Sequence, residues 1–151
     1  MTPLATTALS LALLIPSAHA ADGLITLPSV HSSRASLDRL ETLVKARGLK
    51  IFARIDHAAG AASIGETLRP TELLIFGHPK NGTPLLKCAQ TYGIDLPLHV
   101  LAWEDASGKR WIGYRDPAGL GHRHPDTHCD AALKRVATAL NGLVREAASE
   151  P

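Results

Sequence analysis

The hydrophobic positions of this chain recur in short runs whose period switches between extended and helical as the sequence proceeds. "GLITLPSV", residues 23–30, reads as an opening strand. In "LDRLETLVKARG", Leu37, Leu40 and Val44 share one helical stripe. Ser36 is placed to cap that helix, Lys45 and Arg47 fall in its last turn, and Gly48 sits where a C′ glycine would. "LKIFARID" alternates Leu49, Ile51, Ala53 and Ile55 against Lys50, Phe52, Arg54 and Asp56, which predicts a half-buried strand. "HAAGAASIGET" is Ala-rich with internal glycines and predicts no more than a short or irregular helix. "TELLIFG" holds the continuous apolar run Leu73 to Phe76, expected of an interior strand covered on both faces.

Thr83-Pro84 then offers an N-cap and an N1 proline for "LLKCAQTYG", with Gly93 to end it. "LPLHVLAWEDASGKRWIGYRD" predicts a hairpin. A four-residue loop from Asp105 to Gly108 sets Glu104 opposite Lys109, Trp103 opposite Arg110, Leu101 opposite Ile112 and His99 opposite Tyr114. From about Asp126 to Arg145, Leu133, Val136, Leu140 and Leu143 return at helical spacing. The order β-α-β-(α)-β-α-β-β-α predicts an α+β fold, a two-layer sandwich of helices on a mixed sheet ending in an antiparallel hairpin.

One segment stands outside this pattern. "LSLALLIPSAHA" is an apolar run too short to span a bilayer, closed by the small-x-small signal Ala18-His19-Ala20. It reads as a secretory signal over residues 1–20, although the n-region lacks Lys and Arg. The remainder, 21–151, is then expected to be one α+β domain working in the periplasm or outside the cell, with no membrane span in the mature chain. A formal net charge of +2, with acids and bases interspersed, argues against a nucleic-acid partner. The two cysteines, Cys88 and Cys129, are a candidate disulfide in an oxidising compartment.

Candidate chemistry gathers in three places. "GLGHRHPDTHCD" packs His122, His124, His128 and Cys129 into a dozen residues, but its spacing matches no common zinc pattern. Pro125 pushes His124 out of helical geometry, so His124 and His128 are not expected to form an i,i+4 ligand pair. The three histidines remain metal candidates, and Cys129 at a helix start could be a disulfide half, an inert thiol or a reactive one. In "RIDHAAGA", Asp56-His57 ends a strand at an Ala/Gly-rich segment where backbone can approach a ligand, unless Asp56 merely caps the next turn. "IFGHPKNGT" runs from strand into turn, and Lys80, Asn81, Gly82 and Thr83 at a helix start could accept an anion. Asp95 and Glu104 add carboxylates of unknown separation. Neither a P-loop nor GxGxxG is present, and no cofactor is specified.

The ordered set "FARIDHAAGA", "LRPTELLIFGHPKNGTPLL", "GIDLPLHVLAWED" and "WIGYRDP" resembles the domain-of-unknown-function family numbered 302, whose members include secreted bacterial proteins. The resemblance covers roughly Leu24 to His124. It implies a compact α+β domain, often a homodimer, with no established reaction. It brings Asp56, His57, Arg69, Pro70, Gly77, Pro79, Gly82, Asp95, Leu96, Pro97, Glu104 and Tyr114 into focus. The family turn usually has Asn where this chain has His78, and His124 matches a histidine common near the end of the block. The leading expectation is therefore a periplasmic or secreted domain that binds a small molecule or ion. Its site is centred on the Asp56-His57 turn, with Asp95, Glu104 and His124 contributing. The alternatives are a hydrolase- or lyase-like enzyme with His57 as general base, and a metal- or redox-handling protein using Cys88, Cys129 and the late histidines.

Overall fold

The computed structural model describes residues 23–124 and 128–150; the expected signal segment lies outside the described residues. The predicted elements appear in the predicted order, with 3-10 turns and one short extra helix before the last one. Strand β1 (Leu24–Pro28) leads to α1 (Ser33–Ala46), β2 (Lys50–Asp56), α2 (His57–Ala62), β3 (Thr71–Gly77) and α3 (Pro79–Cys88). A 3-10 turn at Gln90–Ile94 precedes β4 (Leu98–Glu104) and β5 (Arg110–Arg115). A short α4 (Leu120–Arg123) and the long α5 (Asp130–Ala148) follow. Among the described residues no helix is long and apolar enough to cross a membrane.

The five strands form one open sheet in the order β1-β5-β4-β3-β2. Every neighbouring pair is antiparallel, which corrects the expectation of a mixed sheet. The reason lies in the placement of β1. It returns alongside β5 rather than beside β2, so the α1 connection never links two adjacent parallel strands. Helices α1 and α5 pack on one face, where Leu37, Leu40, Val44, Leu74, Phe76, Val100, Ile112, Leu140 and Val144 make the core. Tyr114 joins it with its hydroxyl accepting from Asn141 Nδ2 at 2.8 Å, and burial pushes that phenol up from its ordinary pKa. A second cluster of Leu85, Tyr92, Leu120, Cys129 and Leu133 fills the space between α3, the 3-10 turn, α4 and α5.

Four local features differ from the pattern-based expectations. Helix α1 begins four residues early because Ser32, not Ser36, is the cap, its side chain accepting from Ala35 N–H at 3.2 Å. Ser36 is fully buried and hydrogen-bonds Ser29 Oγ at 2.8 Å instead. Gly48 does take the left-handed conformation, at φ 71°, that ends this helix. Helix α3 likewise starts early. His78 caps it and Pro79 occupies its first turn, leaving Pro84 inside the helix rather than at its start.

The hairpin is slipped by one residue. Glu104 pairs with Arg110, Trp103 with Trp111, Ala102 with Ile112 and Val100 with Tyr114. The loop holds three residues, because Asp105 N–H still reaches Lys109 O and Gly108 adopts φ 81° behind a turn closed by its own N–H to Asp105 O. Finally, β2 carries a bulge between Ile51 and Ala53. Ile51 faces the core opposite Phe76, whereas Ala53 and Ile55 pair with Ile75 and Leu73 toward the other face. Phe52, inside the bulge, is 55% exposed.

Candidate functional site

The residues expected to form one site fall at two ends of the sheet. Asp56 closes β2 and pairs with Glu72, which pairs in turn with Ala102 near the end of β4. His57 opens α2 and is exposed, and Glu104 is the last residue of β4. Asp95 precedes β4 and lies beside His124. The length of β4, about 20 Å for its strand rise, separates the two ends.

At the first end Asp56 does what a cap does. Its Oδ1 accepts from Ala59 N–H at 2.9 Å and its Oδ2 meets Arg34 at 3.2 Å. It is thereby drawn into an ion-pair group and does not orient His57. The centre of that group is Glu72, only 4% exposed, which receives Arg54 Nε and Nη2 at 2.9 and 2.8 Å. Arg54 also meets Asp38 at 2.5 Å and Glu41 at 3.6 Å. Partial burial pulls the Arg54 guanidinium down, but its hydrogen bonds to Asp38 and Glu72 outweigh this and hold its pKa above the ordinary value. The clue in the sequence was a Glu immediately before an apolar interior run. Glu104 uses its backbone here, its carbonyl accepting from Arg69 Nε at 3.1 Å.

At the second end, Asp95 and His124 do come together. His124 Nε2 lies 2.8 Å from Asp95 Oδ2, and its Nδ1 lies 2.8 Å from Thr91 Oγ1. A carboxylate only accepts, so Nε2 carries a proton and a neutral ring accepts the Thr91 hydroxyl at Nδ1. Arg123 donates to the other Asp95 oxygen at 2.8 Å, and the His124 ring lies against Tyr92 with centroids 4.3 Å apart. His124 is buried, and both ring nitrogens are engaged, so this cluster braces α4 against the 3-10 turn. His122 and His128 are exposed. Among the described residues no group of three or more His, Cys, Asp or Glu side chains is placed to hold a metal ion. Cys88 and Cys129 are joined, Cα atoms 6.3 Å apart, tying the end of α3 to the start of α5.

Between these features lies a space the sequence did not announce. An open-mouthed cavity of about 650 Å³ is bordered by the Gly77–Leu86 stretch, the Leu96–Leu98 approach to β4, and one side of α5. That volume is within the usual range of small-molecule pockets. Ala132, Val136, Ala139, Leu140 and Leu143 of α5 line the cavity, and Leu140 and Leu143 also belong to the buried face with Leu133 and Val144. The β2 bulge aims Phe52 at the same space, and Phe52 and Leu86 are exposed at its lip. Lys80 and Arg135 are its charged lining residues, and no acidic residue lines it among the described residues.

The start of α3 does not offer the free backbone donors expected there. His78 Nδ1 accepts from Lys80 N–H at 3.0 Å, and His78 O accepts from the N–H groups of Asn81 and Gly82. His78 therefore fills the capping role that Asn serves well, which rationalises the departure from the expected residue.

A family model described as "Domain of unknown function DUF302" matches residues 25–145. The chain belongs to the DUF302 family. The match runs from β1 into α5, so both polar clusters and the cavity fall within the DUF302 region. A crystal structure of an uncharacterized conserved DUF302 protein from Bacillus stearothermophilus shares the fold, with a TM-score of 0.76 over 84% of this chain and 99% of that one, at 17% identity. Two curated relatives, from Brucella suis and Brucella abortus, are each named "Fluoride-specific ion channel FluC 1". Each is 43% identical over 129 residues, covering 85% of this chain but only 51% and 48% of the relative. This DUF302 chain thus spans about half the length of the curated relatives it matches.

Proposed function

We propose that this DUF302 chain is a small-molecule-binding domain of the periplasm or cell exterior, with its ligand held in the cavity between α3, β4 and α5. The observation that carries this reading is the cavity itself: it is largely apolar, of ligand size, and bordered by a few polar side chains. The Asp56-His57 turn is the weaker place for a ligand, because Asp56 is spent on Ala59 N–H and Arg34. The Asp95–His124 pair contributes by bracing the segment that leads into Leu96 and Pro97, two of the lining residues. The compartment is supported by the Ala18-His19-Ala20 pattern and by a disulfide that an oxidising environment would keep.

The test is saturable uptake of the uncharged dye Nile red by the purified, oxidised chain. Fluorescence should saturate for the natural chain and for His57→Ala. It should be lost in Ala139→Trp, which fills the cavity from the α5 side. Uptake that persists in Ala139→Trp and disappears in His57→Ala would return the site to the Asp56-His57 turn. No uptake by any of the three would end the cavity reading.

A second reading is favoured by the named Brucella relatives, in which a region like this one shares a chain with as much sequence again. On that reading the fold is a companion module to an anion channel, and the ion it meets is fluoride. Fluorine NMR of fluoride titrated with the chain checks it: line broadening supports the reading, and an unchanged line removes it.

A further inference from the structure

We infer that the cavity ligand is an amphipathic monocarboxylate with a single medium-length acyl chain, its tail among the α5 lining residues and its carboxylate at Lys80 and Arg135. This rests on the cavity reading above and names the chemistry of the occupant. Three observations select it. The wall is apolar over most of its extent, from Leu49 and Phe76 through Leu96 to Leu143, which suits an alkyl tail. Phe52 and Leu86 are left in water at the lip, 55% and 37% exposed, where a tail would cover them.

The charge around this wall has one sign. Lys80 and Arg135 line the cavity, no Asp or Glu lines it, and neither cation has an acidic partner among the described residues. Lys50, Lys87, Lys109 and Lys134 likewise have no carboxylate partner among the described residues, so what marks Lys80 and Arg135 is their place on an apolar wall with no acidic lining. An unmatched pair beside an apolar wall complements a ligand that is apolar at one end and anionic at the other.

The head group is a carboxylate rather than a phosphate because of His78. A phosphate site at a helix start uses free backbone N–H groups. Here those of Lys80, Asn81 and Gly82 are already taken by His78. What remains is side-chain charge, and the planar Arg135 guanidinium matches a carboxylate through two parallel hydrogen bonds. The size of the cavity, about 650 Å³, suits one acyl chain better than the two of a diacyl lipid.

The experiment is calorimetric titration of the oxidised chain with decanoate, octanoate, decan-1-ol and decylamine at low ionic strength. Decanoate should bind about tenfold more tightly than decan-1-ol, as expected for one charge-assisted hydrogen-bonded contact. Shortening the tail to octanoate should weaken binding by more than about tenfold, since each buried methylene is worth about fourfold. Lys80→Gln with Arg135→Gln should erase the preference for decanoate while leaving decan-1-ol binding in place. Both positions are exposed, so the fold should tolerate the pair of changes.

Equal binding of decanoate and decan-1-ol, with Nile red still taken up, would overturn the carboxylate assignment and leave the cavity reading standing. Failure of every aliphatic probe and of Nile red would remove both. Tighter binding of decylamine, or displacement of decanoate by millimolar inorganic phosphate, would also overturn the assignment.

Discussion

Reducing the Cys88–Cys129 bond should cost this protein much of its stability and loosen the cavity. The bond joins residues 41 apart in sequence. Loop-closure entropy for a loop of that size corresponds to about 4 kcal/mol at 25 °C, a ceiling set by how far the reduced, unfolded chain gains freedom. Cys88 is exposed, so a reductant can reach the bond, whereas Cys129 is 3% exposed and packs with Leu85, Tyr92 and Leu133. The bond also ties together α3 and α5, which form two walls of the cavity. The assay is urea unfolding followed by far-ultraviolet circular dichroism, with and without a phosphine reductant. With an m-value of ~1.5 kcal/mol/M, the midpoint should fall by roughly 2.5 M. Nile red affinity should weaken in parallel. Cys88→Ala with Cys129→Ala should behave like the reduced chain, apart from a small packing loss at Cys129. A midpoint shift below about 0.5 M would refute the reasoning, because the cross-link would then be constraining little of the unfolded chain.

Other consequences follow from single residues. Glu72→Ala strands Arg54 beside the sheet and should cost about 3 kcal/mol, toward the low end for a buried pair because Asp38 still partners Arg54; chemical denaturation measures it. Gly113→Ala should be destabilising by about 2 kcal/mol in the same assay, since a Cβ there would meet Ile25 O at 2.8 Å and the Trp103 ring at 3.2 Å. The Asp105 carboxyl is held well below the ordinary carboxylate range, first by the Ser107 hydroxyl and then by the Trp111 indole N–H. A depressed folded pKa contributes stability that is present above the unfolded value, about 4, and lost as pH falls through the folded one. Asp105→Asn should therefore lower the melting temperature at neutral pH, and the gap to the natural chain should close as pH falls below about 4.

The sequence revealed element order better than it revealed faces. Helix α1 was legible because its stripe and Gly48 agree, and α5 because its apolar spacing persists over several turns. The hairpin register depended on whether Asp105 belonged to loop or strand, and the left-handed Gly108 decided that in favour of a three-residue loop. The β2 bulge was hidden behind an alternation that looked regular, yet it turns Ala53 and Ile55 away from the face that Ile51 occupies. Periodicity reports which residues alternate, and an inserted residue changes the outcome without changing the composition.

The same limit governs the site. In the sequence Asp95 is a carboxylate with no visible partner and His124 stands out only through the family resemblance, and the fold brings them to 2.8 Å. Asp56 and His57 stand at a strand end before an Ala/Gly-rich segment, and there the capping role, the alternative the sequence leaves open, claims the carboxylate. The cysteines are bonded, so Cys129 offers no thiolate at the start of α5. The cavity was not legible, because its wall is assembled from apolar residues of β2, β3, α3, the approach to β4 and α5. Each of those residues alone reads as ordinary core. Two cues were present, the small residues Ala132 and Ala139 on one side of a long helix and an unmatched Arg135 between them.

The most direct measurement is backbone-amide NMR of the oxidised chain titrated in turn with decanoate and decan-1-ol. Binding in the cavity predicts saturable shifts at Phe52, Leu86, Ala139 and Leu143, with His57 and Glu104 unmoved. Shifts centred on His57 and Glu104, or no saturable shifts with either compound, would contradict it.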